Sequence, residues 1–236
     1  MIRQRRLPGE LMEMYSPIGL LPRDIFTKRS PVGEIRATLE IDAGNGGWRK
    51  TEIGATRTPG GVIAYPGLGR RARVAGQPAQ RYRVRLQMAA YEPHYRRAHS
   101  GEPLGIIKRT ADGIEFDVFP YNDENPPQNF AQLSNLWEVW FAPAPNYQFP
   151  DHVPILRGQV TDPTGRAVAG AEVSWQTNQQ AMTGENGTFG LPLLISKSLD
   201  LTTPQLIAAT DFRGHTGTIT IMIPQAVGKN QIIIIS

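Results

Sequence analysis

Apolar and polar residues alternate with a period of two through most of this chain, the pattern of strands that bury one face. In RYRVRLQM, Tyr82, Val84, Leu86 and Met88 fall on one face and Arg81, Arg83 and Arg85 on the other. Ile35, Ala37, Leu39 and Ile41 alternate with Glu34, Arg36, Thr38 and Glu40, and Gly44, Gly46 and Gly47 then supply a turn. Ile114, Phe116 and Val118 alternate with Glu115 and Asp117, so these acids are expected to oppose the arginines across a pair of strands. Leu156, Gly158 and Val160 share a face against Arg157, Gln159 and Thr161. Asp162, Pro163, Thr164 and Gly165 follow as a turn, since proline presets φ, aspartate accepts from the backbone two residues on, and glycine avoids a Cβ clash. Ala171, Val173 and Trp175 face inward on the next strand, and a Gly-Glu-Asn-Gly hairpin at 184 to 187 leads to Thr188, Phe189 and Leu191.

The remaining pattern completes the layout. Strands are expected around 205 to 210 and 216 to 223, where Ile219, Ile221 and Ile223 alternate with Thr218, Thr220 and Met222. The terminal QIIIIS is apolar on both faces and must be paired or covered. FAQLSNLWEVWF, 130 to 141, fits a helical stripe and a two-sided strand alike; a short turn of helix running into a strand is expected, with both tryptophans packed. Prolines 8, 17, 22 and 31 break residues 1 to 32 into an extended arm whose Leu11, Met14, Tyr15, Leu20, Leu21, Ile25 and Phe26 form a candidate interaction surface. The expected fold class is mainly β with two β-rich domains. The arm is followed by a basic β-rich domain at 33 to 141, a proline-rich linker at 142 to 153 and a seven-stranded-type β-sandwich at 154 to 236.

The C-terminal segment carries a resemblance. Gly158 through Trp175 follows the order G-x-V-x-D-x-x-G-x-x-V-x-x-A-x-V-x-W, and Thr183 through Phe189 adds T-x-x-x-G-x-F. This resembles a carboxypeptidase regulatory-like domain, a transthyretin-like or immunoglobulin-like sandwich, over about a third of the chain. The resemblance implies fold rather than function, because such modules are appended to many unrelated proteins. In peptidases that carry the domain the zinc site lies elsewhere, and no other part of this sequence supplies one. The same strands are also similar to the opening strands of intradiol ring-cleaving dioxygenases, but the downstream His-x-His of that iron site is missing.

Composition narrows the function classes. The 236 residues are 40% hydrophobic, enough for packed cores, without an apolar run long enough to span a membrane. There is no cysteine, which excludes disulfides, a thiolate nucleophile and cysteine-ligated zinc. The N-terminus is basic, but Pro8, Gly9, Glu10 and Glu13 interrupt any h-region, so cytoplasmic synthesis without a signal peptide is expected. Asn186-Gly187-Thr188 is then hairpin chemistry rather than a glycan acceptor. The net charge of +4 hides a linear division: residues 1 to 110 hold 20 Lys+Arg and 9 Asp+Glu, and residues 111 to 236 hold 5 and 12. Such asymmetry orients docking, attracts polyanions or pairs copies head to tail.

Catalytic motifs are sparse. His94, His99, His152 and His215 lack metal-ligand spacing, and there is no nucleophile elbow, phosphate loop or dinucleotide fingerprint, so neither an enzyme nor a cofactor is expected. GLGRRARVAG at 67 to 76 reads as a basic loop, and Asp123, Glu124 and Asp211 as turn residues. Arg70, Arg71, Arg73, Arg81, Arg83, Arg85, Arg96 and Arg97, with Lys108 and Arg109, form a candidate polyanion face. Balancing by acids of a neighbouring strand or copy is preferred, because interleaved aromatics for base stacking are missing. Two functions follow: a structural protein contacting other subunits, or its own copies, in a virion or phage-like particle such as a phage tail, baseplate or contractile injection system; or a stand-alone binder of nucleic acid or charged glycan.

Overall fold

The computed structural model describes residues 2–5, 11–97, 107–127, 136–176, 179–195 and 202–236, with backbone alone for 2–5 and 11–14. The chain is mainly β. It divides into two compact units, Met1–Pro22 with Glu34–Gln87 and Tyr95–Val139, and Arg23–Gly33 with Met88–His94 and Trp140–Ser236. This differs from a sequential arm, domain, linker and sandwich, because the chain leaves and re-enters each unit more than once.

In the first unit, β1 (Ile2–Arg5) and β2 (Leu11–Met14) pair as a two-stranded antiparallel sheet. A five-stranded sheet has the order β10-β11-β8-β4-β5, built from β4 (Arg36–Gly44), β5 (Gly47–Lys50), β8 (Gln80–Gln87), β10 (Ile107–Arg109) and β11 (Ile114–Val118). The alternation seen in sequence is its cause. Leu39, Tyr82, Val84, Leu86, Ile114, Phe116 and Val118 are buried, and the Tyr82 and Phe116 rings stack at 6.2 Å. The β4–β5 hairpin turns through Asn45 and Gly46, both at positive φ, with a bulge at Asp42/Gly44.

The same unit holds β6 (Thr56–Arg57), β7 (Ile63–Ala64) and the beginnings of β3 (Gly19–Asp24) and β12 (Leu136–Pro143). Gly19 and Leu20 pair with Ala64 and Ile63. The region expected as an arm therefore contains the strand β3 as well as β1 and β2, with Ile18, Leu20 and Ile25 inside the protein. Pro17 and Pro22 break a helix but are compatible with extended backbone. In β12, Trp137, Val139 and Phe141 are buried and Trp140 is half-buried; residues 130 to 135, at the start of the segment expected as a helical turn running into a strand, lie outside the described residues.

In the second unit, the later half of β12 pairs with β9 (Tyr91–His94), Trp140 facing His94 and Ala142 facing Glu92. Residues 142 to 153, expected as a linker, are packed: Ala142, Ala144 and Val153 are buried, and the Tyr147 and Phe149 rings meet edge-on at 4.6 Å. Among the described residues, the sandwich that follows has seven strands. One sheet is β16-β13-β19, from β13 (Ile155–Thr161), β16 (Thr188–Pro192) and β19 (Asn230–Ile234); the other is β15-β14-β17-β18, from β14 (Glu172–Trp175), β15 (Gln179–Met182), β17 (Gln205–Thr210) and β18 (Thr216–Ile221). Leu156, Val160, Val173, Trp175, Phe189 and Ile233 share one core.

Local chemistry sets these strands. Asp162 Oδ1 accepts from the Thr164 and Arg166 amides and the Thr164 hydroxyl, and Gly165 takes φ +83°. The 184 to 187 turn closes with Gly187 N donating to Gly184 O, but β15 and β16 belong to different sheets, so this turn carries the chain across the sandwich. A Cβ on Gly158 would meet the Gln231 carbonyl and, at 2.7 Å, the Phe189 ring, which explains glycine there. The isoleucine run pairs in parallel with β13, burying Ile233 and leaving Ile232 and Ile234 62% and 56% exposed. Ile223 begins a single helical turn, α1 (Ile223–Ala226), instead of continuing β18.

Candidate interaction surfaces

The arginines of β8 project from the face of the five-stranded sheet opposite the core, with acids beside them. Glu40 on β4 and Glu115 on β11 both stand across from Arg83, and Asp117 across from Arg81. Arg83 donates from Nε to Glu40 at 2.7 Å, its guanidinium carbon lies 4.6 Å from the centroid of the Trp48 ring, and the side chains of both Arg83 and Glu40 are only 12% exposed. Arg81 reaches Glu115 at 2.5 Å, Lys108 approaches the same carboxylate at 3.8 Å, and Arg85 lies 3.8 Å from Glu40. A carboxylate held this way occupies donors that a phosphate would otherwise take.

Arg109 and Arg70 are engaged elsewhere. Arg109 is one strand position from Lys108, so it points the other way and donates to the Tyr95 and Glu138 carbonyls. Arg70 lies in the 67 to 76 loop, bridged to Tyr121 and ion-paired with Asp123 at 2.5 Å. Arg71, Arg73 and Arg96 are exposed, and Arg97 is half-buried. Gly69, at φ +91°, brings the loop against Val118, so this glycine serves backbone packing.

Folding also removes the linear charge division. The acids at 112 to 138 join the basic strands, so the first unit carries 17 Lys+Arg against 13 Asp+Glu and the second carries eight of each. Sequence order could not show this, because strand pairing joins residues far apart along the chain.

The arm residues separate in the same way. Leu20 is fully buried in β3, and Ile25 packs on Ala142 and Met182, so neither is an external contact. Phe26 is half-buried with its ring edge-on to Phe149 at 5.6 Å, and Leu21 is half-buried. Tyr15 is half-buried against Tyr121 at 5.7 Å. Leu11 and Met14 lie in β2, outside the residues whose side chains are described.

Several polar groups escaped sequence reasoning. Asp24 is 1% exposed and accepts from the Phe26 amide at 2.7 Å, the Thr27 hydroxyl at 2.9 Å and the Tyr91 hydroxyl at 3.2 Å. The Asp-x-x-Thr spacing was its only sequence signal. His94 Nε2 lies 2.6 Å from Glu172, whose other oxygen accepts from Gln180 at 2.5 Å. Burial, with the nearby Glu185, raises the Glu92 carboxyl. His215 and Asp211 form a local turn at 2.8 Å. An open groove of about 590 Å³ is lined by residues including Pro145, Tyr147, Phe149, Asp151 and Arg157. Among the described residues, no helix is long and apolar enough to cross a membrane, and no group of three or more His, Cys, Asp or Glu could hold a metal ion.

Among the described residues several large apolar side chains are exposed, Val32 and Phe119 to the greatest degree. Leu206 on β17 is 58% exposed, as are Ile232 and Ile234 on β19 to a similar degree. No protein-family model matches the chain, and no curated protein matches it significantly.

Proposed function

We propose that this chain is a non-enzymatic structural protein that makes protein–protein contacts in a multi-subunit particle. The observation that carries this is the exposure of Leu206, Ile232 and Ile234 on ordered strands of the sandwich, where a protein partner would remove apolar surface from water. The particle class best suited is a phage tail or baseplate, or a phage-like contractile injection system. In such assemblies small β-sandwiches serve as appended contact modules, and the Gly158–Trp175 pattern fits a carboxypeptidase regulatory-like module in that role. The alternative, a polyanion-binding face, is weakened because Arg81 and Arg83 already hold Glu115 and Glu40.

Sedimentation of a native lysate separates the two readings. The protein is expected in a fast-sedimenting fraction at fixed stoichiometry to other polypeptides, unchanged by nuclease or glycan-degrading enzymes. Release by either enzyme, or affinity for a polyanion whose salt slope shrinks in an Arg81→Ala, Arg83→Ala, Arg85→Ala variant, would establish the polyanion reading instead.

A further inference from the structure

Several sheet edges in this protein carry the devices that block unwanted pairing, and three edges of the sandwich do not. Edge strands β5, β10 and β6 carry Arg49 and Lys50, Lys108 and Arg109, and Arg57; β9 contains Glu92 and Pro93, and β16 ends at Pro192. Charge and proline at an edge oppose strand addition. The edge strands β15, β19 and β18, the last Thr216-Gly217-Thr218-Ile219-Thr220-Ile221, have neither, and β18, at six residues, is the longest of the three. From 214 to 236, Lys229 is the only Lys, Arg, Asp or Glu, in a chain that is 19% charged.

The geometry shows which groups on this edge are open. Asp211 N donates to His215 O, so the hydrogen-bonded pairs of β17 and β18 continue at 209 with 217, 207 with 219 and 205 with 221. The amides and carbonyls of Thr216, Thr218 and Thr220 therefore point away from β17. Ser236 N already donates to Thr216 O. Among the described residues, nothing bonds the backbone of Thr218 and Thr220 on that side. Their side chains are exposed on the outer face, while Ile219 is half-buried at the margin of the core.

We propose that β18 pairs antiparallel with β18 of a second copy of this chain about a two-fold axis at Ile219. This rests on the contact role proposed above and names its surface and partner. In a two-fold contact a charged edge would face its own sign, so an uncharged strand self-pairs without that cost, and β18 is the longest uncharged edge, with the backbone of Thr218 and Thr220 open. Directly opposed residues must share a face, which leaves registers that match threonine with threonine. Centring on Ile219 sets Thr218 opposite the partner's Thr220 and the reverse, so all four open amides and carbonyls are bonded. It also places Ile219 against the partner's Ile219, covering the half-buried margin, and leaves Thr216 O with Ser236. The four-stranded sheets of two copies become one eight-stranded sheet.

Two sets of variants test this on the full chain. The double variants Thr218→Lys with Thr220→Lys, and Thr218→Glu with Thr220→Glu, alter exposed side chains and are checked for fold by circular dichroism. By analytical ultracentrifugation the unaltered protein is expected to be dimeric at tens of micromolar, each double variant to weaken the dimer by about tenfold or more, and their equimolar mixture to restore it as a heterodimer. Because the chain has no cysteine, Ile219→Cys is expected to form a symmetric disulfide rapidly, as facing non-hydrogen-bonded positions lie about 4.5 Å apart at Cα; Thr210→Cys is not. A monomeric unaltered protein, a mixture that stays monomeric, or equal cross-linking of the two cysteine variants each overturns the proposal. Particle sedimentation without heterodimer rescue would overturn this contact alone, and rescue without sedimentation would overturn the particle role alone.

Discussion

Asp162 shows how one side chain holds a turn and links it to pH. The Thr164 hydroxyl, then the Arg166 amide, stabilise its carboxylate and hold its pKa below the ordinary aspartate range. A group depressed in the folded state contributes stability above its unfolded pKa, and that contribution disappears as pH falls through the folded value. Asp162→Asn keeps an acceptor oxygen but not the charge. The stability gap between the unaltered protein and this variant, from urea denaturation, is therefore expected to be widest near neutral pH and to close between about pH 4 and pH 2. A gap that widens on acidification would contradict the assignment. Asp211 acts in the same sense: burial alone would raise its carboxyl, and hydrogen bonds from His215 and Arg213 outweigh that and lower it.

At the scale of elements, β3 decides what the N-terminal region can lose. Ile18, Leu20 and Ile25 are each 1% exposed or less, and burial of such a side chain stabilises by about 1.5–3 kcal/mol. Removing residues 1 to 14 takes away β1 and β2, a two-stranded sheet of the kind that adds little stability by itself. Deleting 1 to 14 is expected to preserve cooperative unfolding, whereas deleting 1 to 32 is expected to abolish it, since three such losses approach the whole stability of a typical domain, about 5–15 kcal/mol. Thermal melts of the two truncations check this; equal behaviour would mean β3 is dispensable.

For the whole molecule, the sandwich core is drawn entirely from residues 156 to 235. A fragment of residues 140 to 236 is therefore expected to fold alone. It is expected to be about 2 kcal/mol or more less stable than the same region in the full chain, because Ile25 no longer covers Ala142 and Met182 and His94 no longer meets Glu172. Denaturant unfolding of the fragment measures both expectations, and a non-cooperative transition would count against a self-contained core.

Local information was enough for the mainly β class, the alternating faces of β4, β8, β11, β13 and β14, the turn at Asp162 and the pairing of β8 arginines with β11 acids, because each depends on period-two geometry or turn chemistry within a few residues. The sequence also exposed the isoleucine run as a strand in need of a neighbour. Only the tertiary structure decided that Leu20 and Ile25 are core, that residues 142 to 153 are packed, that the turn at 184 to 187 crosses between sheets, and that the linear division of charge disappears. Those outcomes depend on which strands become neighbours. The pairing partner of a strand is selected by burial and hydrogen bonding across the whole fold, and alternation within one strand carries no record of it.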